Sequence, residues 1–109
     1  MIKDRIVRVK LRRGTQQRPL NYIGKVTAFN DLWVVMEARA VLVCRSQPNG
    51  VQVDKRPSAI MVPRESIESI RVLPDNFKVD EIRVTTEGQQ LRVMVDGAPD
   101  CYIGEMGEG

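Results

Sequence analysis

The chain contains no histidine, and that absence removes most of the chemistry a protein of this size could otherwise carry. Without imidazole the usual zinc sites and the thiol–imidazole pair cannot be built. Cysteine is scarce too: Cys44 and Cys101 lack any metal or redox spacing, and both are expected as free, reduced thiols. Serines are scattered, and no glycine-rich phosphate loop occurs, so no nucleophile–base pair or phosphate cradle can be drawn. Glu65 and Glu68 are a pair of carboxylates only in name, since a solvated rim explains them. No apolar run approaches the ~18 residues of a membrane helix. Met1 to Arg5 breaks into charge at once, so no signal peptide is visible. These absences point to a non-enzymatic binding or assembly module with no cofactor, no membrane partner and a cytoplasmic setting.

What is present is a chain of 109 residues, 42% hydrophobic and 28% charged, the composition of one globular domain. Its core is modest enough that association would add materially to stability. The net charge of +3 conceals an asymmetry: residues 1 to 56 hold 12 Lys/Arg against 4 Asp/Glu, whereas residues 57 to 109 hold 5 against 10. The first half is therefore the candidate polyanion-facing part, although cations alternating along a strand also serve simply to solvate its outer face.

Periodicity is that of strands almost throughout. Val7, Val9 and Leu11 alternate with Arg8, Lys10 and Arg12, which predicts a half-buried strand with cations outward. After a loop from Arg13 to Pro19, Leu20, Tyr22, Val26 and Ala28 share one face, interrupted by Gly24, where a missing Cβ marks a bend or close backbone approach. A turn at Phe29 to Asp31 leads to Leu32–Val43, apolar on both parities and read as one long strand bent near Ala38. Pro48-Asn49-Gly50 is a hairpin signal. Val51–Val53 begins the return strand, residues 54 to 57 interrupt it, and Ala59–Val62 resumes it. Pro63 to Ser66 forms a short turn before a fifth strand, Ile67–Leu73. Ile82–Thr86 and Leu91–Val95 then read as a hairpin about Glu87 to Gln90, and Cys101–Ile103 as a short strand. Gly104 to Gly109, glycine-rich and acidic, is expected to be mobile.

The stretch from Tyr22 to Met36, with Gly24 at the bend, Phe29 five residues on, Asn30 at the turn and Leu32 to Met36 beyond it, resembles the first signature of the Sm-like family, which includes eukaryotic LSm proteins and bacterial Hfq. Ile60 to Ile67 resembles the turn joining that family's last two strands. The resemblance covers roughly residues 5 to 73 and extends to compact Sm-like proteins of bacteriophage and environmental origin. It implies a strongly bent five-stranded antiparallel barrel at 1–75; the chain departs from the family in leaving room for little or no N-terminal helix before its first strand. The residue pattern beyond the resemblance adds a C-terminal β-hairpin extension at 76–103 and a flexible acidic tail at 104–109, for a chain that is all-β. The resemblance also implies a homo-oligomeric ring of about five to seven subunits, paired edge to edge. The apolar residues on both faces of Leu32–Val43 fit strands that neighbours help to bury.

Rings of this family commonly bind single-stranded RNA around the pore, where the two signature turns converge. Carried over, that places Asn30, Leu32 and Arg64 at the pore, with Arg8, Lys10, Arg12, Arg13, Lys55 and Arg56 on outer surfaces. The chain departs from the family pattern in having Leu32 where a stacking side chain often stands and Glu65 in place of a histidine, which implies charge-based binding instead of a base-selective pocket. The alternative is a structural or protein-docking ring, possibly viral, with the tail hairpin as the contact surface.

Overall fold

The structure, a computed structural model, describes residues 1–13 and 18–108. It is all-β. Among the described residues there are nine strands in two antiparallel sheets and no α-helix. The first sheet contains β1 (Ile6–Leu11), β2 (Leu20–Phe29), β3 (Trp33–Val43), β4 (Val51–Val53), β5 (Ser58–Pro63) and β6 (Ile67–Val72). The second contains β7 (Val84–Glu87), β8 (Gln90–Val93) and β9 (Cys101–Glu105). Residues 14–17 of the expected loop at 13–19 lie outside the described residues, as does Gly109 at the end of the expected tail.

The order of the first sheet is β4-β3-β2-β1-β6, with β5 also on β3. β3 is the single long strand that its valines predict. It pairs with β5 along Trp33 to Ala38 and with β4 along Val41 to Val43, so the interrupted return strand hands over just beyond Ala38. Gly24 lies directly across β2–β3 from Ala38. A bulge between Val26 and Ala28 sends Ala28 opposite Val35 and ends the simple alternation of β2.

The sheet does not close on itself, and it has six strands where a five-stranded bent barrel is expected. β5 and β6 are both edge strands with no ladder between them, and the sheet is open. It is nevertheless strongly curled. The 3-10 turn Arg64–Ser66 is all that separates β5, at one edge, from β6, at the other. So short a connection requires the two edges to approach at that end. Inside the curl lie Val7, Val9, Leu11, Val26, Val34, Met36, Ala38 and Val62.

A second core forms on the opposite face of the same sheet. Ile23, Val41, Val43 and Val51 pack there with Leu73 and with Leu91, Val93, Val95, Cys101 and Ile103 of the C-terminal unit. This corrects the reading of β3. The strand buries even-numbered residues inside the curl over its first half and the odd-numbered Val41 and Val43 beneath the second sheet over its second half, so the chain itself covers the face assigned to a neighbouring subunit.

The expected mobile tail is also corrected. β9 runs on to Glu105, and Met106–Glu108 forms a 3-10 turn docked on the rest of the chain. Gly104 makes this possible, because a Cβ there would stand 2.9 Å from Val43 Cγ2 and 3.0 Å from Pro19 Cβ. Met106 packs over Gly50, whose φ of +79° closes the turn after Asn49. Glu108 accepts from Arg13 Nη1 at 3.2 Å and from the Glu105 amide at 3.0 Å. Composition alone hid these anchors.

Tyr102 on β9 donates to Glu105 Oε1 at 3.1 Å. Burial, then that bond, then the charges of Glu105, Glu108 and Glu68 push its pKa up from 10 to about 12. An unfolded tyrosine loses its proton at the lower value, so the folded protein holds a proton there that the unfolded chain does not. The contribution of Tyr102 is intact below pH 10 and drains away as the pH climbs through 12. Denaturation of Tyr102→Phe across that window is expected to show a shallower loss of stability than the parent; equal slopes would contradict this linkage.

Candidate nucleic-acid interface

Two turns meet at one end of the curled sheet. The β2–β3 turn is organised by Asn30, whose side-chain Oδ1 accepts from the amides of Leu32 at 2.8 Å and Trp33 at 2.9 Å, the local capping for which asparagine is suited. The turn after β5 is laid against it: the Arg64 amide donates to the Leu32 carbonyl at 2.9 Å, and Arg64 Nη1 to the Asn30 carbonyl at 2.9 Å. Asp31 lies 4.0 Å from the same guanidinium nitrogen. Arg12 joins from the end of β1, its amide donating to Ser66 O and its Nε to Glu65 O. Asn30, Leu32 and Arg64, expected together, are thus joined by positions far apart in the chain, and Arg12, expected on an outer surface, is found at the same junction instead.

This rim is mixed in charge and partly apolar. Arg12 and Arg64 are interleaved with Asp31 and Glu65, while Leu32 is 71% exposed. Asn30 is a scaffold for the turn. Replacing it with Ala leaves two amides without their acceptor and is expected to cost about 1 kcal/mol in chemical denaturation; no change would mean water serves equally well.

The remaining cations are elsewhere. Arg8 and Lys10, expected on an outer surface, are each only 6% exposed, and their placement there is corrected. The cause is the second sheet. Across the β1–β2 ladder Arg8 faces Ile23 and Lys10 faces Asn21, both fully buried under the C-terminal unit, and Asn21 Nδ2 donates to the Ile103 carbonyl at 2.9 Å. Lys10 is compensated by Glu68 at 3.0 Å, whereas Arg8 Nη1 donates to the neutral Ser69 hydroxyl at 3.1 Å and its Nε is buried without a hydrogen-bond partner among the described residues. Arg13 is paired with Glu108. Lys55 and Arg56 are exposed, but in the β4–β5 turn beyond Ser58, about 17 Å along β5 from Arg64 at the usual strand rise.

Elsewhere among the described residues, no group of three or more His, Cys, Asp and Glu side chains is placed to hold a metal ion, and no helix is long and apolar enough to cross a membrane. Cys44 and Cys101 are free and buried. One feature with no signature in the sequence is a cleft of about 200 Å³ between the 74–83 connection and the end of β8. Its lining comes from segments separated by more than ten residues, so only the folded arrangement reveals it. Compared with protein-family models, curated proteins and solved structures, the chain matches none.

Proposed function

We propose that the protein is a non-enzymatic, Sm-like subunit that assembles edge to edge into a homo-oligomeric ring and binds single-stranded nucleic acid weakly, through charge, at the end where its two turns meet. The observation that carries this reading is the junction itself, with Arg64 tied to Asn30 and Leu32 across the two turns. Assembly is supported by the two open edges, each six residues long. Met61 on β5 and Ile70 and Val72 on β6 are apolar and exposed there. Unpaired edge strands are a liability that pairing removes, and β5-to-β6 contact is head-to-tail, so a suitable rotation closes a ring.

Light scattering at micromolar concentration is expected to find several subunits; a clean monomer would sink the ring. With one Trp and two Tyr per chain, nucleic acid retained through gentle purification would stand out in the absorbance ratio at 260 and 280 nm. Binding of a short single-stranded RNA should fall steeply with salt, with a log–log slope of about −0.7 per phosphate neutralised. Arg64→Ala should weaken it more than Leu32→Ala, since leucine offers no π face. Salt-insensitive binding would overturn the charge-based mechanism.

A second reading is favoured by Leu32, 71% exposed at the same rim: a docking platform for another protein. An intact ring that fails to bind RNA at low salt would select it.

A further inference from the structure

The cleft at the end of β8 has an apolar floor and a polar rim. Phe77, Met94 and Val95 form the floor; Phe77 is half-buried against the inter-sheet core, and Met94 is 39% exposed. The rim carries donors and acceptors in equal measure. Arg83 stands 3.7 Å from Asp96, and Lys78 stands 3.9 Å from Glu81, pairs looser than a direct charge-assisted hydrogen bond and open to solvent on both sides. A cleft with no net charge is poorly matched to a phosphate. It is well matched to a flat, neutral heterocycle that needs a surface to stack on and both kinds of hydrogen-bonding partner at its edge.

The geometry points to a nucleobase site, with guanine the best-matched base: its ring stacks on Phe77, Arg83 donates to the O6/N7 edge, and the carboxylates of Asp96 or Glu81 accept from its N1–H and amino group. Uracil, whose edge is dominated by carbonyl acceptors, leaves the carboxylates opposed and binds less well. The site lies on the C-terminal unit, apart from the Asn30–Arg64 rim, and would give a strand held there a second, base-selective contact. Its role in binding a strand rests on the nucleic-acid reading above; its ability to bind a free base does not.

The test uses the full-length, isotopically labelled protein and free nucleotides. Guanosine 5′-monophosphate at millimolar concentration is expected to shift the backbone amide resonances of Arg83, Met94 and Val95, uridine 5′-monophosphate to shift them with an affinity several-fold weaker, and ribose 5-phosphate not at all. Phe77→Leu keeps an apolar floor without a π face and is expected to weaken guanosine monophosphate binding about ten-fold. Asp96→Asn, a solvent-exposed change that leaves the floor intact, should reduce the preference for guanine over uracil. Absence of amide shifts with the guanine nucleotide, or equal shifts with ribose 5-phosphate, would overturn the assignment. The Arg64→Ala variant separates the cleft from the rim: the nucleotide shifts are expected to persist there even where RNA binding is lost, and their loss would overturn a site independent of the rim. A guanine-containing RNA that shifts the same amides, where a uridine-only RNA does not, places a strand there.

Discussion

Gly24→Ala is expected to destabilise the protein by on the order of 4 kcal/mol. A Cβ at this position would stand 2.0 Å from the Glu37 carbonyl oxygen and 2.5 Å from Ala38 Cα, distances that no rotamer change can relieve because both obstacles are backbone. The strand cannot retreat either. Gly24 is paired with Val7 on one side and Ala38 on the other, so opening one ladder drives β2 into the next. For a domain of about this size each kilocalorie corresponds to roughly 4–8 °C, which puts the expected fall in melting temperature at about 15 °C or more. Exposed Lys25→Ala next to it is the control and should be nearly neutral. Melting of Gly24→Ala within a few degrees of the parent would mean the β2–β3 contact relaxes far more easily than its geometry implies.

The second large effect concerns the C-terminal unit. A chain cut after Pro74 is expected to fail to fold cooperatively, because Ile23, Val41, Val43 and Val51 would lose the apolar side chains that cover them, and Arg8, Lys10 and Asn21 would lose the sheet that fixes their surroundings. Point substitutions approach the same interface less drastically. Leu91→Ala and Ile103→Ala each remove a fully buried side chain and should cost about 2–5 kcal/mol. The expected readouts are aggregation of the shortened chain and lowered midpoints for the point variants. A soluble 1–74 fragment with a sharp unfolding transition would show that the first sheet stands alone and that the second is an appendage.

Local pattern made the strands legible where one rule sufficed. The alternation around Val7 and Val9, the valines of β3, the turn residues Pro48-Asn49-Gly50 and the missing Cβ at Gly24 each carry their own physical signal, and the structure places strand, strand, turn and close contact there. The convergence of Asn30 and Arg64 was legible only through the resemblance of two separate motifs. What could not be read was which of two faces meets what. Arg8 and Lys10 alternate with valines like any solvated stripe, and nothing within β1 states that a sheet formed some ninety residues later will close over them. The same blindness made residues 104 to 108 read as a loose tail, since the partners that hold Met106 and Glu108 are Gly50 and Arg13.

The inter-sheet core also sets an order of events during synthesis. Asn21 donates to a carbonyl 82 positions away, and Arg13 pairs with a carboxylate 95 positions away. Until residues 101 to 108 have emerged, the outer face of β2 and β3 has nothing to rest against, and Ile23, Val41 and Val43 are offered to any other unfinished chain nearby. Non-local contacts of this kind are slow to form, and an exposed apolar sheet face is the usual starting point for aggregation. Recovery of native protein should therefore depend on dilution, low temperature or chaperone capacity during the interval between making the first sheet and making its cover.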